Sequence, residues 1–339
     1  MVQAMSEADR GRALELLRAH GWATVSFQLL ESEFRYWFDG DAFVAYVDTG
    51  SAWVAGGAPV APAHRLEAVA QRFVAAARAA RRRASFFACE HRFVNAVSWP
   101  SMHIGEQPVW QPTAWSDVLA SASSLRYQLR RASRKGVNVT RLFAHDVASR
   151  RSAIDALSLE WLTSRRMTRM GFLVQLEPTG FAEERVMLAA ERDGELVGFL
   201  SAIPVYARRR WFVEDLLRTR AAPNGTSELL IDAAMRIPEV LASEGLTMGL
   251  APLAGRVAGP LRFARAVSRP LYDFHGLHAF KRKLRPQHWE PVFMCSPSPR
   301  WRALADALTA FARGSLLRFA MRTLLHRSPR RLLAAGERS

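Results

Sequence analysis

The stretch WFVEDLLRTRAAPNGTSELLIDAAM, from Trp211 to Met235, changes its hydrophobic period partway along. WFVEDLLR reads as a strand. A polar loop with Pro223, Asn224 and Gly225 follows, and then Leu229, Leu230, Ala233 and Ile237 fall at helical spacing. Folds that hold phosphates keep several glycines at such a strand-to-helix junction, where free backbone N–H groups cradle the anion. Here a single glycine is followed, three residues later, by the acid Glu228.

The same order appears upstream. WATVSFQL, FRYWF, DAFVAYV and SAWVAGG alternate with period two, with turns at Asp39-Gly40 and Asp48-Thr49-Gly50. A Pro-containing loop leads to Leu66, Val69 and Phe73 at helical spacing, then to a strand, SFFAC. Ser6 is placed to cap a first helix that closes at His20-Gly21. Downstream, RVMLAAER, the turn Asp193-Gly194, ELVGFLSAIPVY and LTMGL complete the second set, and Pro238 marks a helix stop. The pattern predicts an α+β fold of two tandem halves with mixed sheets. The expected boundaries are 1–136, 137–295 and a basic amphipathic tail over 296–339.

Net charge is +16 over 339 residues, which favours a polyanionic partner, nucleic acid or an anionic membrane surface. Arginine dominates. The three lysines, Lys135, Lys281 and Lys283, mark positions where a compact ammonium replaces a guanidinium fork. Cys89 and Cys295 lack metal-type spacing and read as free thiols in a reducing compartment. MVQAMSEADR is no signal peptide, and no apolar run reaches membrane-span length. The expectation is a cytoplasmic protein with peripheral membrane contact.

Between the halves, SLRYQLRRASRKG places Arg126, Arg130 and Arg134 on one helix face, flanked by Arg131 and Lys135. Like charges at this spacing destabilise an isolated helix. An anionic partner such as tRNA would offset that; a solvated basic face is the competing reading. In the tail, Trp301, Leu304, Leu308 and Phe311 form an apolar stripe with Arg302 and Arg313 opposite, and arginines continue at 318, 322, 327, 330 and 331. Such a helix suits the headgroup region of an anionic bilayer; packing on the body is the alternative.

Six segments carry a family resemblance: 105–110 (GEQPVW), 125–136 (LRYQLRRASRKG), 198–205 (GFLSAIPV), 214–235, 248–255 (MGLAPLAG) and 271–293 (LYDFHGLHAFKRKLRPQHWEPVF). Together they resemble the catalytic domain of phosphatidylglycerol lysyltransferases, also called aminoacyl-phosphatidylglycerol synthases. The resemblance implies two fused GNAT-like (acyltransferase-like) modules. It also implies transfer of an amino acid from aminoacyl-tRNA to a lipid hydroxyl, phosphatidylglycerol being the type acceptor. Many members carry a multi-span domain in front, which these 339 residues do not contain. Membrane attachment would then fall to surface charge and the tail.

Coenzyme A-dependent modules of the GNAT type hold the cofactor's pyrophosphate on a glycine-rich turn. RAAPNGTSE is not one: Pro223 lacks an N–H, and Glu228 places a negative charge in the first helical turn. An acyl donor held by its tRNA needs no coenzyme, and ester exchange between hydroxyls needs no metal and no cofactor. It needs a group for the attacking hydroxyl's proton, cations or N–H donors for the oxyanion, and exclusion of water. The resemblance assigns catalytic roles to Asp215 and Arg218 and to the basic segment FKRKLRP, where Lys281 and Lys283, reinforced by Arg282 and Arg285, would contact the lipid phosphate or the oxyanion; a solvated charge run is the alternative. Asp215 would bind the amino group of the acyl moiety or act as base; a structural ion pair is the alternative. On a straight strand Asp215 and Arg218 face opposite ways, so pairing them directly needs a bulge. The Lys281/Lys283 spacing suits a strand or extended turn with both on one side. Asn224, Gly225, Thr226 and Glu228 would position the ribose ester, or serve only turn and cap chemistry. His275 and His278 lack a third ligand for a metal. The competing functions are a coenzyme A-dependent N-acyltransferase and a non-catalytic RNA- or membrane-binding module.

Overall fold

The structure, a computed structural model, describes residues 6–164, 171–173, 176–252 and 274–312. Its strands are β1 (Arg35–Phe38), β2 (Phe43–Asp48), β3 (Ala52–Gly56), β4 (Arg83–Cys89), β5 (Ser101–Trp110), β6 (Asn138–Leu142), β7 (Val186–Arg192), β8 (Glu195–Val205), β9 (Arg210–Arg218), β10 (Gly245–Thr247), β11 (Ala251–Pro252) and β12 (His288–Cys295). They form one sheet in the order β1-β2-β3-β4-β12-β5-β10-β9-β8-β7-β6, with β11 beside β5. The pairs β3/β4 and β10/β9 are parallel and the others antiparallel, so the sheet is mixed. This is the expected α+β fold. Both expected halves contribute to this one sheet: β12, late in the chain, inserts between β4 and β5, and β10 bridges β5 to β9.

Local chemistry explains most elements. Ser6 accepts a hydrogen bond from the Asp9 amide and caps the helix Glu7–His20, which Gly21 ends. Asp193 and Gly194 both hold positive φ and turn β7 into β8. Along β2, Phe43 and Ala45 enter one core cluster while Val44 and Tyr46 enter another on the opposite face. The helix Thr226–Met235 stops short of Pro238, which opens a new turn at its first position. Cys89 and Cys295 are both free and buried.

Two expectations need correction. WATVSFQL is not a strand; Thr24–Leu30 is a 3₁₀ segment with all but Val25 buried. Enclosed on all sides, it has no polar face to set a period. Side chains, not a neighbouring strand, serve its carbonyls: Arg10 donates to Leu30 O at 2.8 Å and Tyr36 to Leu29 O at 2.9 Å. The tail stripe also divides. In the helix Arg300–Phe311, Leu304 packs on the core, and Phe311 stands edge-on to Phe87 and Phe172, at 5.1 Å from each. Arg83 binds buried Asp306 with two nitrogens. Trp301 and Leu308 remain outside, 67% and 48% exposed. Arg313 and the arginines after it lie outside the described residues.

A partly buried ion network ties β9 and the turn before it to β12 and to Glu90. Arg208 binds Glu90 and Glu290, and Arg210 joins Glu290 at 2.7 Å. Burial works against the Glu290 charge, but Arg210 and Arg208 hold its carboxyl down to about 2.

Candidate active site at the β8–β9 bulge

Ser201 pairs with Asp215 and Ala202 with Val213, so Glu214 is the extra residue of a β-bulge in β9. The bulge resets the alternation. Without it Asp215 would share a face with Val213; with it, Asp215 takes the Ser201 face. From Asp215 to Arg218 the register runs unbroken, Leu216 opposite Leu200 and Arg218 opposite Gly198. Arg218 therefore faces the other side of the sheet and is exposed. The bulge lies on the wrong side of Asp215 to bring the two together.

The cation beside Asp215 is instead Arg185, just before β7, which the sequence reading missed. Its guanidinium donates to Ser201 Oγ at 2.9 Å, pairs with Glu214 and lies over the Phe27 ring at 5.5 Å. Arg185 and Glu214 side chains are 4% and 5% exposed. Asp215 is 7% exposed, and its Oδ2 has no hydrogen-bond partner. Burial first, and the Glu214 charge second, push the Asp215 carboxyl well above the usual carboxylate range against the pull of Arg185. One arginine does not neutralise two buried acids, which leaves a place for a ligand cation. A cleft of about 500 Å³, with Tyr206, Arg210 and Trp211 among its walls, opens beside Arg185.

The Pro223–Glu228 loop has a different task. Gly225 holds φ +100, and a Cβ there would run into the Gln128 carbonyl of the basic helix Ser123–Arg134. The glycine permits backbone-to-backbone contact between this helix and the N-terminus of Thr226–Met235. Thr226 is fully buried and its hydroxyl donates to Pro223 O at 2.7 Å; Asn224 is exposed. Where a coenzyme-binding turn keeps open amides, this junction packs a second helix. Gly225→Ala should destabilise the protein by about 3 kcal/mol through overpacking and strain at positive φ, read as a lowered urea midpoint.

FKRKLRP is helix rather than strand: Phe274–Lys283 places Leu277, Phe280, Lys281 and Leu284 at i, i+3, i+4 and i+7. Leu284 is fully buried and Phe280 packs against that core, so the apolar stripe overrides the charge run. The two lysines accordingly part company. Lys283 pairs with Glu228 at 2.7 Å, joining two residues that the sequence reading had placed in separate roles. Lys281 is 3% exposed, and its three donors reach the carbonyls of Met248, Gly249 and Leu250 at 2.8, 2.9 and 3.0 Å. Burial pushes its ammonium down to about 7 from an ordinary 10.5. The native state therefore sheds a proton that the unfolded chain keeps between those values, and stability should rise with pH across that window. Lys281→Met should flatten the rise, as followed by urea midpoints from pH 7 to 10. Arg285 donates to Ser121 O and Oγ at 2.9 and 3.0 Å, and Arg282 is exposed.

On the basic helix, Leu125 and Ala132 are buried. Arg126 turns back onto the carbonyls of Leu119 and Ala120. Arg130, Arg134 and Lys135 are exposed, Arg131 is half-buried, and Tyr127, absent from the expected set, is 60% exposed on the side of Arg130 and Arg134. The His275 side chain lies outside the described ones, while the His278 ring lies tilted against Trp289, 4.9 Å between centroids. Among the described residues no cluster suits a metal ion, and no helix is long and apolar enough to cross a membrane.

Comparison with known proteins agrees with this architecture. The chain is 28% identical over 178 residues to an uncharacterized protein of Corynebacterium glutamicum. It is 30% identical over 148 residues to the phosphatidylglycerol lysyltransferase of Bacillus subtilis. These matches span 49% and 41% of the chain but only 22% and 17% of the relatives' own length. Among solved structures, the C-terminal domain of a proposed lysylphosphatidylglycerol synthetase from Agrobacterium fabrum superposes with TM-score 0.78 at 21% identity, over 91% of this chain and 98% of that one. L-PGS of Bacillus licheniformis gives 0.77 at 19%, over 95% and 99%. At these identities the likeness is one of fold. The family described as phosphatidylglycerol lysyltransferase, C-terminal, matches residues 14–296, most of the chain, and the protein belongs to that family.

Proposed function

We propose that the protein moves an aminoacyl group from aminoacyl-tRNA to the hydroxyl of an anionic membrane lipid of the phosphatidylglycerol kind. The observation that carries this reading is the buried Asp215 carboxyl with an unpartnered oxygen, set beside an arginine already committed to Glu214. A site with a surplus buried acid suits the ammonium of an aminoacyl ester. It does not suit the diphosphate of a coenzyme. In the transfer, the lipid oxygen bonds to the acyl carbon, the ribose oxygen leaves, and the lipid hydroxyl's proton passes to the ribose. The ester count is unchanged, so no energy source is needed. Asp215 holds the ammonium and so fixes the carbonyl in place. Arg218, Lys283, Arg282 and Asn224, on other surfaces, are assigned to the bulky anions rather than to the reacting carbonyl, and Lys281 to holding residues 248–250 in position.

The donor's tRNA is assigned to the exposed face of Tyr127, Arg130, Arg134 and Lys135, where guanidinium groups meet phosphates and the phenol ring offers a stacking surface. The lipid surface is assigned to Trp301, Leu308 and the general positive charge, with the protein peripheral on the inner membrane face. The double charge reversal Arg130→Glu/Arg134→Glu should weaken tRNA binding at least tenfold in filter-binding assays and flatten its salt dependence. Unchanged binding and salt slope would move the tRNA site elsewhere.

A further inference from the structure

The 3₁₀ segment Thr24–Leu30, from the first part of the chain, packs against β8, with Phe27, Leu29 and Leu30 in one core cluster with Ile203 and Val205. Glu31, directly after the 3₁₀ segment, is 5% exposed, and its Oε2 has no hydrogen-bond partner. Glu214 Oε1 and Asp215 Oδ2 are likewise buried and unpartnered. Two of these oxygens, on Glu214 and Asp215, lie beside the Arg185 guanidinium, whose donors already go to Glu214, Ser201 and Gly180 O. The Glu31 segment is fixed rather than loose. Arg10 holds Leu30 O, Gln28 donates to Leu173 O at 3.2 Å, Ser32 donates to Glu177 at 2.9 Å, and Glu33 accepts the Phe172 amide. A rigid wall that keeps a buried carboxyl without a partner carries a standing desolvation cost, which a bound cation would relieve.

We propose that Glu31 is a further binding residue of the site, so that the unpartnered carboxyls of Glu31 and Asp215 together hold the ammonium of the acyl group. This rests on the aminoacyl reading of the site. It makes the two halves joint owners of one pocket. It also has a protonic signature. Burial first, then the charges of Glu214, Glu33, Glu177 and Asp215, push the Glu31 carboxyl up to about 10, with Arg185 and Arg10 the cations on the adjoining elements. The empty site therefore stores a proton on Glu31 near neutral pH, and an arriving ammonium drives it off.

The test is calorimetric titration of the full chain with L-alaninamide, which bears only the ammonium common to all aminoacyl groups. It is run at pH 6.5, below the α-amino range of about 7.7–8.0, in two buffers of different ionisation heat. Wild type should release a sizeable fraction of a proton per amide bound. Glu31→Gln should weaken binding at least tenfold and reduce the release, and Asp215→Asn should also weaken it. If Glu31→Gln binds like wild type while Asp215→Asn does not, Glu31 is no binding residue and the Asp215 reading stands. If the wild type fails to bind the amide, the aminoacyl reading itself falls. Should Glu31→Gln not fold, wild-type binding without proton release overturns the proposal by itself.

Discussion

Asp215→Asn should lower aminoacyl transfer by about a hundredfold or more while raising the melting temperature. The first effect follows from losing an ionic contact to the acyl ammonium in a buried site; about 3 kcal/mol, at 1.36 kcal/mol per decade, gives roughly two orders of magnitude. The second follows from the same geometry. An acid whose native carboxyl sits well above its ordinary range stabilises the fold only below that ordinary range, and the contribution fades as pH rises through the native value. At neutral pH wild type keeps a costly acid, and the amide removes it, so the melting curves of the two proteins should converge in mild acid. A variant that is both more stable and inactive is the mark of a functional acid; loss of a structural ion pair would lower stability.

Arg208→Ala should have the largest effect on stability. It leaves Glu90, its side chain 11% exposed, with the Thr24 amide and no arginine, and Glu290, 21% exposed, with Arg210 and Gln107. Removing one partner of a buried ionic network costs about 3–5 kcal/mol, because a charge is left uncompensated. Urea unfolding at pH 7 should show the loss. Because Glu290 is held down to about 2, its contribution is present above the ordinary carboxylate range and disappears as pH falls through about 2. The gap between wild type and variant should therefore narrow in acid. Full stability in Arg208→Ala would mean that apolar packing alone joins the halves.

What was legible in the sequence followed the physics of each segment. Strands such as Phe43–Asp48 and Val186–Arg192, buried on both faces over most of their length, were legible as short apolar runs bounded by glycine-containing turns. Caps and turns at Ser6, Gly21, Asp193-Gly194 and Pro238 are local and were readable as such. Thr24–Leu30 was not, since burial on every side erases periodicity. The lysines of Phe274–Lys283 drew attention to charge, when Leu277, Phe280 and Leu284 carried the period. Asp215 was visible, but its surroundings were not. Unbroken alternation turns it away from Arg218, while a one-residue bulge at Glu214 sets it on the Ser201 face, beside Arg185, which pairs with Glu214. Arg185 directly follows Glu183 and Glu184, and Glu31 stands two residues before Glu33, so among charged neighbours only a place at the edge of an apolar run marked them.

The most direct measurement is the transfer itself. Bulk tRNA charged with a mixture of radiolabelled amino acids is incubated with the purified 339-residue chain and phosphatidylglycerol vesicles, and label is counted in the chloroform phase. The account predicts label in the lipid as an alkali-labile ester, dependent on the protein and on Asp215. A folded protein that binds charged tRNA and vesicles yet leaves all label in the aqueous phase would contradict it.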